Sequence, residues 1–306
     1  MATFLIFKVT LTLKSSHKER IKTMEILWLF IQFIFYTLAI VAITKYALIK
    51  LLRRLAETLN LKPKHVGDIT GMATSVPELL TVAFSASSGL MSASITNILS
   101  SNVINTILYT SSIAYNKNFK LLRNKALMID LVLVFFTILI PALMVISGTA
   151  LNINIFPLFI LLFVLFYFVN FRVHKLYLKT EEEDIEKEIA AETKWLKGKK
   201  KKTVLYSIGL LICAILLFVA GNSLSNVLEQ LCITFSIPEI LIGILLGFTT
   251  SIPELITFFE SQKHYKKSHK EIEGVIEATN NLFSSNILNL FIIQSFGILI
   301  YYIFYH

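Results

Sequence analysis

Eight apolar runs, each long enough to cross a bilayer, divide this chain. A helical span needs about 20 predominantly apolar residues, and lipid offers no partner for an unpaired backbone group. The runs cover residues 26–49, 64–86, 92–114, 125–147 and 153–173, then 203–222, 237–260 and 273–301 after a charged stretch at 174–202. The expected fold is therefore an all-α polytopic membrane protein with about eight transmembrane helices, five and then three. Composition agrees: 55% of residues are hydrophobic and 16% charged, against about 25% charged in a soluble domain. A soluble enzyme, a disordered chain and a secreted disulfide scaffold are excluded. Cys213 and Cys232 are too few for a disulfide framework and lack metal-ligand spacing.

Charge falls on alternate loops. Lys50, Arg53, Arg54, Lys62 and Lys64 follow the first span. Lys117, Lys120, Arg123 and Lys125 follow the third, and Lys263, Lys266, Lys267 and Lys270 follow the seventh. The loops at 87–91, 148–152 and 223–236 contain no Lys or Arg. By the positive-inside rule the basic loops and segment 174–202 face the cytoplasm. The net charge of +9 reads as loop charge, and no nucleic-acid partner is expected. Residues 1–23 break the pattern, since they would lie outside yet carry Lys8, Lys14, Lys18, Arg20 and Lys22. They read as an extension ahead of the native start, with Met24 as the first native residue. The organisation is then 24–173 for the first half, 174–202 for a cytoplasmic charged loop and 203–306 for the second half.

Two motifs occur twice, in the same order. Gly71-Met-Ala-Thr-Ser-Val-Pro-Glu-Leu79 in the second span matches Gly247-Phe-Thr-Thr-Ser-Ile-Pro-Glu-Leu255 in the seventh. Asn97-Ile-Leu-Ser-Ser-Asn-Val-Ile-Asn105 in the third matches Asn281-Leu-Phe-Ser-Ser-Asn-Ile-Leu-Asn289 in the eighth. The matched spans are five apart and so cross in opposite directions, which is the pattern of an inverted-topology repeat.

The repeated residues suit a hard cation. A carboxylate at membrane depth is costly and is by default a functional site. Glu78 and Glu254 each follow a proline, and Pro77 and Pro253 free the carbonyls of Ala73 and Thr249. Irregular backbone at that depth is tolerated where it lines a cavity or binds something. Asn97, Ser101 and Asn105 fall on one helical face, as do Asn281, Ser285 and Asn289. Two carboxylates with neutral oxygens match the six to eight oxygen ligands of Ca²⁺. Interhelical hydrogen bonding is the alternative for the polar residues, but it does not explain duplicated Pro-Glu pairs.

These blocks resemble the α-repeats of the sodium/calcium exchangers, in the cation/Ca²⁺ exchanger superfamily. The resemblance covers roughly 64–106 and 241–290. It implies that Glu78 and Glu254 bind Ca²⁺ and share in Na⁺ sites, with Thr74, Ser75, Thr250, Ser251, Ser101, Asn105, Ser285 and Asn289 as further ligands. It also implies alternating access, with the first and sixth spans sliding across the core. Three departures stand out. The family's G-N-x-x-G-S-N glycines are replaced by Thr96 and Ser100 in one repeat and by Asn280 and Ser284 in the other. The last position of the second block, often Asp, is Asn289. The family commonly has ten or more helices, so the last two are expected to be absent here, and an oligomer would be one way to replace them.

The expected function is a cation antiporter exchanging Ca²⁺ for Na⁺ at a midplane two-glutamate site. It is a secondary transporter and not an enzyme, with no cofactor and with Ca²⁺, Na⁺ and membrane lipid as partners. The alternatives are a Ca²⁺/H⁺ antiporter on the same scaffold and a truncated, non-transporting cation-binding subunit. Asp68 reads as an interfacial carboxylate near Lys64 or His65, or else as an extra cation or proton site. Asp130 and Lys45 are expected to snorkel or pair, and Glu277 is a candidate for a cytoplasmic vestibule. Segment 174–202, with Glu181–Asp184, Trp195 and Lys199–Lys202, reads as a solvated helix whose basic end meets anionic headgroups.

Overall fold

The computed structural model describes residues 24–59, 61–147, 153–177, 199–236, 238–266 and 270–305. Among these the chain is helical, with no strand. Helix α1 occupies 24–59 and carries a π turn at Thr44–Leu48. Helices α2 (Pro63–Thr74) and α3 (Val76–Ser87) follow, then α4 (Met91–Asn116), α5 (Lys125–Ile146) and α6 (Phe156–Tyr177). Helix α7 spans Lys199–Phe235, α8 Glu239–Thr250 and α9 Ile252–Lys266. Helix α10 covers Glu271–Tyr305, with a π turn at Leu288–Ile293. Six stretches are long and apolar enough to cross a membrane, namely α1, α5, α6, α7, the α8–α9 pair and α10. The expected spans at 64–86 and 92–114 are helical as well, but Ser and Asn side chains lower their hydropathy. The protein is an integral, multi-pass membrane protein.

The expected boundaries shift in four places. Span 64–86 is two helices broken at Ser75, and span 237–260 is two helices broken at Ser251. Each break lies just before a Val-Pro or Ile-Pro pair. Proline cannot donate the helical hydrogen bond, so it sits without penalty in the first turn of a new helix. The loop expected at 223–236 is helical up to Phe235, because no Gly or Pro interrupts Leu224–Phe235. The charged loop is shorter than 174–202, since residues 174–177 belong to α6 and 199–202 to α7. Residues 1–23 and the 181–184 acidic run lie outside the described residues.

Burial separates a centre from a rim. Over the most apolar 18 residues of each span, α8–α9 is 56% buried and α10 50%, against 6% for α1. Leu27, Trp28, Phe35 and Leu38 of α1, and Leu205, Leu211 and Val219 of α7, are exposed apolar side chains that lipid would cover. A cluster around Phe159, Phe166 and Phe291 ties α5 and α6 to α10, with ring centroids 5.6 and 5.1 Å from Phe291. A second cluster, with Ile40, Leu52, Leu217 and Leu246, ties α1 to α7 and α8.

The centre is held by two close helix crossings. Helix α2 lies along α10, and α8 lies along α4. A Cβ on Gly71 would stand 2.5 Å from the Asn281 carbonyl oxygen and 3.0 Å from the Ser285 nitrogen. A Cβ on Gly243 would stand 2.5 Å from the Ala93 oxygen, and one on Gly247 would stand 2.9 Å from both the Asn97 oxygen and the Ser101 nitrogen. Backbone therefore rests on backbone, the close packing that glycine permits in membrane helices. The two crossings use matching residues of the two halves. The serines that replace the expected motif glycines fit for the same reason: Ser284 and Ser100 face Gly71 and Gly247.

Gly71→Ala and Gly247→Ala should each destabilise the protein by about 1–3 kcal/mol, the usual cost of overpacking, as a lower melting temperature in detergent. Gly221→Ala, where the nearest atom would be Leu80 Cδ1 at 3.7 Å, should not lower it.

Candidate cation site

The two breaks bring the repeated residues to the crossings. Glu78 and Glu254 occupy the first turns of α3 and α9, where the positive end of the helix dipole favours a carboxylate. Thr74 and Thr250 end α2 and α8, and Ser75 and Ser251 are the residues between the half-helices. Ser101 and Asn105 lie on α4, Ser285 on α10 and Asn289 in its π turn. All ten expected ligands are buried.

Most of them touch one another. Ser75 Oγ and Ser285 Oγ are 3.0 Å apart, and the Ser285 hydroxyl donates to Glu254 Oε1 at 3.2 Å. The Asn105 amide donates to Ser285 Oγ at 3.4 Å, and Ser101 Oγ lies 3.4 Å from Thr250 Oγ1. The Thr250 hydroxyl donates to the Leu246 carbonyl and the Thr74 hydroxyl to the Thr70 carbonyl, both at 3.0 Å. Asn289 is joined to the rest through Asn102, to whose Oδ1 it donates at 3.2 Å.

The oxygens left over define the chemistry. Glu78 Oε1 and Oε2, Glu254 Oε2, Asn105 Oδ1, Asn281 Oδ1, Asn289 Oδ1 and Ser251 Oγ are all buried without a hydrogen-bond partner. Buried polar groups are ordinarily satisfied. An unpaired buried carboxylate costs several kcal/mol. Oxygens lacking donors are the surroundings a hard cation completes. Among the described residues no three His, Cys, Asp or Glu side chains converge, so a cation here would rest on two carboxylates and neutral oxygens.

Four supporting residues were not singled out as ligands from the sequence. The Asn97 amide donates to Thr81 Oγ1 at 2.7 Å, and the Asn281 amide to Thr257 Oγ1 at 2.6 Å. Asn102 donates to the Asn286 carbonyl and Asn286 to the Asn102 carbonyl, both at 3.2 Å. Asn105 and Asn289 then donate to the amide oxygens of Asn286 and Asn102. A signal for these was present. The first repeat extends to Thr81 and Thr257, seven residues after Thr74 and Thr250, and the asparagines are the third polar residue of S-S-N.

Beside the repeated blocks lies a one-sided polar cluster. Lys64 pairs with Asp68 at 3.3 Å and donates to the amide oxygens of Asn170 and of Asn280, the latter at 3.4 Å. Asp68 also accepts from Ser284 at 2.8 Å, and His65 Nδ1 is 4.0 Å away. This matches the reading of Asp68 as a partner of Lys64. Asp130 does not snorkel. It is fully buried, accepts from Asn170 at 2.8 Å and faces His174 Nε2 at 2.6 Å. The side chain of Lys45 lies outside the described residues.

Two broken helices thus carry buried carboxylates into a membrane bundle, and three of the four carboxylate oxygens lack a donor. The chain belongs to the family of the sodium/calcium exchanger protein, whose profile matches residues 28–174 and 205–306. Its fold is similar to solved structures of the sodium-calcium exchanger NCX_Mj. One, soaked with 2.5 mM Na⁺ and 10 mM Sr²⁺, is 19% identical with a TM-score of 0.53, over 90% of this chain and 83% of that one. Another, soaked with 10 mM Na⁺ and no Ca²⁺, is 21% identical with a TM-score of 0.52, over 88% and 83%. No curated protein sequence matches.

Because Asn102 and Asn286 play matching parts, Asn102→Ala and Asn286→Ala should each lower stability by about 1–3 kcal/mol, since each strands a buried partner. Chemical or thermal unfolding in detergent should find the two losses similar.

Proposed function

We propose that this protein is a secondary antiporter that exchanges Ca²⁺ for Na⁺ at a single site built on Glu78 and Glu254. One observation carries the reading: three of the four carboxylate oxygens are buried without a donor, beside the orphaned oxygens of Asn105, Asn281, Asn289 and Ser251. A cation supplies what these groups lack. Ca²⁺ accepts six to eight oxygens in flexible geometry, and one Ca²⁺ balances two carboxylates. Na⁺ ions balance the same charge, so the two cations compete for one set of oxygens. The name sodium-calcium exchanger and the Na⁺ and Sr²⁺ soaks of NCX_Mj support the same ion pair here.

The matched glycine crossings and the reciprocal Asn102–Asn286 bonds support an inverted repeat, a common basis of alternating access. In that reading α1, the least buried span, is a moving part, and the basic loops face the cytoplasm. Thr74, Ser75, Thr250, Ser251, Ser101, Asn105, Ser285 and Asn289 complete the shell around the two glutamates. Asn289 is neutral where the family often has a carboxylate, so the site carries two negative charges.

In sealed vesicles, Ca²⁺ uptake should require an opposing Na⁺ gradient and fall to background in Glu78→Gln and in Glu254→Gln. Uptake that survives both substitutions overturns the site. Uptake driven by a proton gradient without Na⁺ replaces Na⁺ with H⁺ as counter-ion. Ca²⁺ should also raise the melting temperature, with about 2.7 kcal/mol of added stability at one hundred times its Kd, and this rise should vanish in the Glu78→Gln, Glu254→Gln double variant.

A further inference from the structure

A second carboxylate stands one turn along α10 from the candidate site. Glu277 is 2% exposed and belongs to neither repeated block. The residue at the corresponding place in the first half is Ala93, so this feature exists on one side only. Arg53 of α1 reaches Glu277 Oε1 at 3.1 Å and Oε2 at 3.5 Å, and the Ser261 hydroxyl donates to Oε1 at 2.5 Å. Two cavities adjoin Arg53, and Glu277 lines the inner of them. The outer one, about 250 Å³, is open and lined by Tyr46, Lys50, Arg53, Glu260, Lys263 and His264. The inner one, about 10 Å³, is lined by Arg53, Thr70, Thr257, Ser261 and Glu277 among others. That is room for one water-sized species.

Ile49 and Arg53 are common to both walls, and Arg53 is the charged one of the two, bonded to Glu277 on the inner side. Beyond it the inner cavity touches the candidate site. The Thr70 carbonyl accepts from the Thr74 hydroxyl at 3.0 Å. Thr257 accepts from the Asn281 amide at 2.6 Å and donates to the Glu254 carbonyl at 2.9 Å. The inner cavity therefore offers a carboxylate and three hydroxyls, all hard oxygens, and its charge is balanced by a cation on a tether. Helix α1 is the least buried span, and its π turn at Thr44–Leu48 lies two helical turns before Arg53. Such turns concentrate where helices adjust at functional sites.

From this geometry we infer that Glu277 is a transit site for a hard cation, Na⁺ or Ca²⁺, on the path between the outer cavity and Glu254. Arg53 is its resident competitor. While Arg53 holds Glu277 the path is closed, and withdrawal of α1 removes the guanidinium and frees the carboxylate for the passing ion. The nature of the ion rests on the exchanger reading. The gate itself is measurable without transport.

The test uses the full chain with Cys213→Ser, Cys232→Ser and Thr70→Cys, in vesicles sealed with the Lys263 face outward. With Arg53 present, an impermeant thiol reagent should label the position-70 thiol slowly. Arg53→Gln should speed labelling about tenfold or more, the least expected on losing a buried charge pair. Glu277→Gln should do the same, and it keeps the side-chain volume, so it reports even where Arg53→Gln leaves a carboxylate too costly to fold. The exchange Arg53→Glu with Glu277→Arg should restore protection. Millimolar Ca²⁺ or Na⁺ should slow labelling in Arg53→Gln but not in Arg53→Gln with Glu277→Gln, where Glu78 and Glu254 are intact in both. Equal labelling with and without Arg53 overturns the gate, and equal ion protection in the single and double variants overturns the transit site. A protein that passes these measurements yet fails to exchange Ca²⁺ for Na⁺ keeps this inference and loses only the exchanger reading.

Discussion

Everything at the centre depends on helices that approach backbone to backbone. Gly71 meets the Asn281 carbonyl and the Ser285 nitrogen, and Gly247 meets the Asn97 carbonyl and the Ser101 nitrogen. In lipid no hydrophobic force drives helices together, so contact must come from close packing and interhelical hydrogen bonds. The glycines supply the first and the asparagines the second. Once α2 is pressed on α10 and α8 on α4, Ser75 at the first break lies against Ser285 and Thr250 at the second lies against Ser101, with a glutamate in the turn that follows each break.

That arrangement carries a cost which explains its chemistry. The same apolar surroundings that exclude water leave carboxylate and amide oxygens without donors. Helix dipoles favour Glu78 and Glu254 where they stand, but a dipole does not fill an oxygen's lone pairs. Such unpartnered oxygens are the surroundings a hard cation would complete. The seryl replacements at Ser100 and Ser284 do not loosen the crossings, because each sits over a glycine.

The centre is close to symmetric and its surroundings are not. The pairs Asn97–Thr81 and Asn281–Thr257 match, as do the reciprocal bonds of Asn102 and Asn286. Glu277 with Arg53, and Lys64 with Asp68, Asn170 and Asn280, have no counterpart: Ala93, Ile240 and Ile244 stand where matching charges would be.

The sequence by itself determined the membrane class, the helical content and the duplicated blocks. Bilayer thickness sets span length, and two matched nine-residue blocks in the same order recur by chance too rarely to be accidental. It also located Glu78 and Glu254, costly in lipid unless used, and the Ser and Asn faces beside them, while the family resemblance supplied Thr74, Ser75, Thr250 and Ser251. Tertiary structure decided which of these meet. The helix beyond Asn222, which the polarity of that stretch concealed, became legible only in the fold. So did the pairing of Asp130 with His174, more than 40 positions away, and of Arg53 with Glu277 across 224 positions. Local periodicity cannot reveal such contacts, because they depend on which helices pack side by side, and that is settled by glycines fitting against distant backbone.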